Sequence, residues 1–164
     1  MNVSAHRPSP HRWVVFAGLA ILLAGCGNGE AGHDIALPGE QACDLITEAE
    51  FADILDASQI DVESTDATQC DYRSVETYDG ANVVRGEDLS AMHTEETVEI
   101  RDIEAIRLEL DGPMAEGCGV DVNLTSDNGE QQFGVIVTPV SDNSGMSACE
   151  LADTVAGTIL DGAS

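Results

Sequence analysis

Lysine is absent from this chain of 164 residues, and six arginines face 31 aspartates and glutamates, a formal charge of −25. That balance repels phosphate backbones and anionic headgroups, so it excludes nucleic acid and purely electrostatic membrane attachment as partners. Cations, basic partners and plain solvation remain, and acid enrichment without lysine is explained by a salty habitat or genome composition before it is explained by a site. Aromatic residues are scarce at 4%. Trp13 is the single tryptophan, and beyond residue 25 the aromatics are Phe51, Tyr72, Tyr78 and Phe133. These are too few for a base-stacking platform, and Phe51 and Phe133 fall on apolar faces where core packing is the default. No Cys-x-x-Cys pair exists, and His33 and His93 stand at no ligand spacing from a cysteine, which excludes a structural zinc site. Also missing are the G-x-S-x-G elbow, a phosphate loop ending in Gly-Lys-Ser/Thr, H-E-x-x-H and the dinucleotide-binding glycine pattern.

What is present begins with a leader. His6, Arg7, His11 and Arg12 form a positive segment, Trp13 to Leu23 form an uncharged apolar run, and small residues lead to Cys26. The run is too short for a bilayer, which takes roughly 20 apolar residues, but matches the core of an export signal, about 7 to 15. Leu23-Ala24-Gly25-Cys26 closing such a leader resembles the precursor of a bacterial lipoprotein. The resemblance implies diacylglyceryl attachment to the Cys26 sulfur and cleavage between Gly25 and Cys26, with residues 1–25 as the signal peptide. Two acyl chains at about 0.8 kcal/mol per buried methylene anchor stably where one binds marginally. The expected partner is therefore the membrane, reached through the lipid on Cys26, and the expected location is the extracytoplasmic face of the cell membrane.

Loss of the leader removes Arg7 and Arg12 and no acid, leaving 139 residues with a formal charge of −27. Residues 26–40, rich in glycine and without periodicity, read as a lipidated flexible tether, and residues 41–164 as one domain with a modest core. Four further cysteines, Cys43, Cys70, Cys118 and Cys149, form an even set in an exported domain and read as disulfides. Spacing alone allows three connectivities.

Local signals place the elements. Thr47 and Glu50 form a capping box, Ile46 precedes it and Phe51 follows, with Ile54 and Leu55 continuing an apolar face. Ser147 and Glu150 repeat the device ahead of Leu151, Ala152, Val155, Ile159 and Leu160. Between these helices the period changes to two. Val120, Val122 and Leu124, then Phe133, Val135 and Val137, flank Asp127-Asn128-Gly129 as a β-hairpin. Val98 and Ile100, then Ile106, Leu108 and Leu110, predict two more strands around a turn near Asp102 to Glu104, with a helix from Glu95 to Leu110 as the competitor. Gln69 to Val75 reads as a further strand, and Tyr78 to Glu96 as a long loop or irregular edge. The expected class is α+β: an N-terminal helix, an antiparallel sheet of about four to six strands, a C-terminal helix and two disulfides.

With these elements in place, Cys43-Asp44-Leu45-Ile46-Thr47, Cys70-x-Tyr72, Ala105, Cys118-x-Val120-x-Val122 and Cys149-Glu150-Leu151-Ala152 are similar to an actinobacterial secreted lipoprotein family classed only as a domain of unknown function. The likeness spans about residues 41 to 160. It implies an exported, lipid-anchored, disulfide-bonded α+β domain from a high-GC Gram-positive bacterium, and it carries no catalytic residues to transfer. The extreme acidity departs from the family. The resemblance, together with each cysteine's place at an element boundary, implies Cys43 paired with Cys70 and Cys118 with Cys149.

Two acidic groups are candidates for calcium: Asp121, Asn123, Asp127 and Asn128, and Glu95, Glu96, Glu99 and Asp102. Neither matches an EF-hand loop, Gly129 is out of place, and hairpin geometry accounts for Asp-Asn-Gly, so no metal and no cofactor is expected. The Asn123-Leu124-Thr125 sequon reads as strand. His93 among many acids does not make a triad without a strained nucleophile turn, and no catalytic residue is assigned. The expected function is that of a lipid-anchored surface lipoprotein acting by binding or envelope association, with a small molecule, a cation or an envelope protein as partner. The alternatives are an extracytoplasmic hydrolase with a dispersed site and a structural envelope component.

Overall fold

A computed structural model describes residues 35–89, 94–112, 115–125, 131–138 and 145–163. Cys26, His33, His93 and Asp127-Asn128-Gly129 lie outside these residues.

Both capping boxes start helices as the local chemistry dictates. Helix α1 spans Glu48–Leu55: the Glu50 N–H donates to Thr47 Oγ1 at 3.2 Å, while the Thr47 N–H donates back to Glu50 Oε2 at 2.8 Å. Helix α2 spans Ala148–Gly162 with the same exchange between Ser147 and Glu150. Each exchange satisfies backbone donors that the first helical turn leaves without a partner. A 3₁₀ turn, Ala42–Asp44, precedes α1.

Among the described residues seven strands form one antiparallel sheet: β1 Ile60–Ser64, β2 Gln69–Ser74, β3 Gly80–Arg85, β4 Thr94–Ile100, β5 Ile103–Gly112, β6 Ala115–Asn123 and β7 Gln132–Val137. Their order is β1-β2-β3-β7-β6-β5-β4. The β6–β7 pair runs with Val122 opposite Phe133 and Val120 opposite Val135, as the alternation requires. In β4–β5 the turn is Arg101-Asp102, both left-handed (φ 52° and 62°), starting one residue before the expected Asp102 to Glu104. Those two residues interrupt helical geometry, and the competing helix over Glu95 to Leu110 is not formed.

Two further expectations about the sheet are corrected. The sheet has more strands than the four to six expected. Tyr78 to Glu96 is not a long loop: β3 lies inside it, between β2 and β7 near the middle of the sheet, and β4 opens at Thr94. Val83 and Val84 are both buried, because β3 is covered on both faces, and a strand covered on both faces shows no alternation. β1 is an edge strand on which Ile60 alone is buried, so its charged residues carry no apolar period.

Helices α1 and α2 pack on one face of the sheet. There Phe51, Leu151, Val155 and Ile159 meet Tyr72, Val83, Val120, Val122, Phe133, Val135 and Val137 in a single core. Each disulfide ties a helical segment to a strand beneath it: Cys43 beside α1 to Cys70 on β2, and Cys149 in the first turn of α2 to Cys118 on β6. The Cα–Cα distances are 5.1 and 4.9 Å. Leu37, within the segment read as tether, is buried, and its N–H donates to Gln131 Oε1 at 2.8 Å, so the chain is fixed to the domain before residue 40.

Candidate functional site

The opposite face of the sheet carries Val84, Gly134, Ile136, Gly119, Leu108, Ile106, Asp121 and Asn123, each one residue out of phase with the core. Among the described residues its cover is the segment after β3, where Leu89 packs with Val84 and Leu108. Gly134 makes this seat: a Cβ there would stand 2.2 Å from Leu89 Cδ1 and 2.9 Å from Val84 Cγ2. The glycine lets the leucine lie on the sheet.

Beside Leu89 is a hollow of about 280 Å³ lined by Asp88, Glu104, Ile106, Asp121, Asn123 and Gln132. Asp121 is 5% exposed. A carboxylate so placed needs donors, and it has them: Gln132 Nε2 at 3.1 and 3.2 Å from its two oxygens, and the Leu89 N–H at 3.2 Å. Three donor distances from two elements fix the carboxylate and the covering segment together. The arrangement can hold a polar group at the mouth of the hollow, on a wall that is acidic at Asp88 and Glu104 and apolar at Ile106.

Of the first acidic group, Asp121 and Asn123 line this hollow together. The second group is divided: Glu96 points to the helical side, where it accepts from Arg107 Nη1 at 3.3 Å. Glu99 lies with Arg101, Asp153 and Thr154 along a separate groove between β4 and α2. Among the described residues no three acids, histidines or cysteines converge as a metal set. Asp88, Glu104 and Gln132 were not legible as site residues, since each comes from a different element and none belongs to a motif.

A smaller hollow of about 110 Å³ lies on the same face toward the other end of β3, beside Tyr78. No known family, curated protein or solved structure matches this chain.

Proposed function

We propose that the chain is an exported lipoprotein, anchored by acyl chains on Cys26 at the extracytoplasmic face of the cell membrane, whose domain acts by non-covalent binding at the open face of its sheet. The observation that carries the reading is the pair of disulfides, Cys43–Cys70 and Cys118–Cys149, in one small domain. Disulfides persist in oxidising compartments and are rare in the reducing cytosol, which agrees with an export leader ending in Leu-Ala-Gly-Cys. Among the described residues no helix is long and apolar enough to cross a membrane, so in this reading attachment depends on the lipid. The binding half of the proposal draws on asymmetry: both helices cover one face, and the hollows at Asp121 and at Tyr78 open on the other. On this reading the chain belongs with the actinobacterial secreted lipoproteins it resembles.

Detergent phase partitioning of the protein from a bacterial lipoprotein-processing host, with mass spectrometry of its N-terminus, tests the anchor. The wild type is expected in the detergent phase with an acylated N-terminal Cys26, and Cys26→Ala in the aqueous phase. An unlipidated mature protein overturns the reading.

A further inference from the structure

Tyr78 is 76% exposed, the most exposed of the large hydrophobic residues described, and its backbone is left-handed at φ 64°. A bulky side chain rarely adopts that conformation, and surrounding bonds must hold it there. They are present: the Tyr78 N–H donates to Ser74 O at 3.0 Å, the Ser74 N–H to Asp79 O at 2.8 Å, and the N–H groups of Glu76 and Thr77 to Ser74 Oγ at 3.3 and 3.2 Å. Ser74 is fully buried at the centre of this turn. Gly80 closes it, since a Cβ there would stand 2.2 Å from the Tyr72 carbonyl oxygen. The ring is thus presented to solvent on a fixed support, which lowers the ordering cost of any contact made on its face.

The hollow beside the ring is lined by Asp71, Arg73, Asn82, Ile136 and Thr138 together with Tyr78. Asn82 Nδ2 donates to Asp71 Oδ1 at 2.9 Å, which orients two planar polar groups side by side across β2 and β3. Among the described residues the other arginines are engaged: Arg85 by the Pro38 carbonyl, Arg101 by Asp161, Arg107 by Asp153 and Glu96. Among the described residues the Arg73 guanidinium has neither a hydrogen bond nor an ion pair, although Asp61 stands opposite it on β1 and acids outnumber arginines severalfold in this chain. One aromatic face, one free guanidinium, one oriented carboxylate–amide pair and a hydroxyl therefore converge at a shallow site.

We infer that this site binds a saccharide. A sugar ring has an apolar C–H face that lies on an aromatic ring and an edge of hydroxyls that both donate and accept. Tyr78 matches the first, and Asp71, Asn82, Arg73 and Thr138 supply acceptors and donors for the second. At about 110 Å³ the hollow takes ring substituents, leaving the ring itself on Tyr78. A free anion is disfavoured by the charge of the whole chain, and a free cation by Arg73. The turn sits at the end of β3 opposite Arg85, which holds Pro38, so the Tyr78 turn and the Pro38 segment lie at opposite ends of that strand. The ligand class rests on the surface-lipoprotein reading, but the binding itself does not.

The test is co-sedimentation of the full chain, purified in detergent, with cell-wall polysaccharide stripped of protein and lipid. The wild type is expected to be retained, with little change in 0.5 M NaCl. Tyr78→Asn removes the ring while asparagine tolerates the left-handed backbone, and it should lower retention at least tenfold at an unchanged melting temperature. Tyr78→Phe should retain binding, and Arg73→Gln should weaken it severalfold. An unretained wild type, retention abolished by salt, or equal retention of Tyr78→Asn overturns the proposal. Failed retention with intact detergent partitioning sinks the glycan site alone, and retention by an unlipidated protein sinks the anchor alone.

Discussion

Tyr72 and Ile46, 26 residues apart in sequence, are joined by a 2.7 Å hydrogen bond from the phenol to the Ile46 carbonyl. The same hydroxyl lies 3.3 Å from the Cys43 carbonyl, and the ring stacks at a tilt on Phe51 with centroids 5.0 Å apart. One side chain on β2 thus ties down the entry to α1 beside the Cys43–Cys70 bridge. Tyr72→Phe keeps the ring packing and strands a buried carbonyl, which should cost about 1 to 2 kcal/mol in denaturant unfolding.

Burial, followed by the nearby Asp44 and Glu50 carboxylates, pushes the Tyr72 phenol from 10 up to about 12. A folded-state value above the unfolded one means that the neutral phenol's contribution is complete below pH 10 and is lost as pH rises toward 12. The wild type should therefore lose stability across that window more steeply than Tyr72→Phe. Equal alkaline slopes in denaturant titrations would contradict the burial of the phenol.

The Cys43–Cys70 and Cys118–Cys149 bridges close loops with sequence separations of 27 and 31 residues. In the chain-entropy account each should stabilise the fold by roughly 3 to 4 kcal/mol, with about 2 to 5 kcal/mol lost when a small exported domain is deprived of one. Cys118→Ala with Cys149→Ala should release the start of α2 from β6, seen as faster amide exchange over the first turn of α2. Non-reducing peptide mapping should recover these two cross-linked pairs, and any other pairing would refute the connectivity.

The legible parts of the fold were those specified by neighbours in sequence. Thr47 with Glu50 and Ser147 with Glu150 complete hydrogen-bonded boxes three residues apart, so the helix starts could be read directly. The β6–β7 hairpin was legible because Val120, Val122, Phe133 and Val135 bury on one face while Asp121, Asn123, Gly134 and Ile136 face the other. β3 was hidden because Val83 faces the helices and Val84 faces Leu89, a segment outside any period. The hollows were hidden for a different reason. Glu104, Asp121 and Gln132 meet through the strand order β7-β6-β5 and Asp88 joins them from the segment after β3, while Arg73 meets Tyr78 through a turn organised by Ser74; none of these relations is a spacing.

Gly134 offers a direct test of the covered part of the open face. Gly134→Ala drives a methyl into the space occupied by Leu89 Cδ1 and Val84 Cγ2. Overpacking of this kind costs about 1 to 3 kcal/mol. Displacement of Leu89 should also lengthen its N–H bond to Asp121, so the Leu89 amide should exchange faster than amides of the helical face. Leu89→Ala combined with Gly134→Ala should recover part of the loss, because the smaller side chain vacates the site.

The formal −25 of the chain and the separated positions of Asp121, Glu96 and Glu99 set generic charge repulsion against a calcium site. If repulsion among exposed carboxylates dominates, raising NaCl from low ionic strength to about 0.15 M, where the screening length is roughly 8 Å, should raise the melting temperature smoothly. Calcium at matched ionic strength should then add little, and magnesium should match it. A bound ion behaves differently: stabilisation grows with the logarithm of free calcium above its dissociation constant, and magnesium imitates it poorly. Glu104→Gln removes one acid from the hollow without touching the donors to Asp121, so under repulsion it should raise the melting temperature slightly at low salt and lose that advantage at high salt. A calcium-selective increase that disappears in Glu104→Gln would instead make the hollow a cation site.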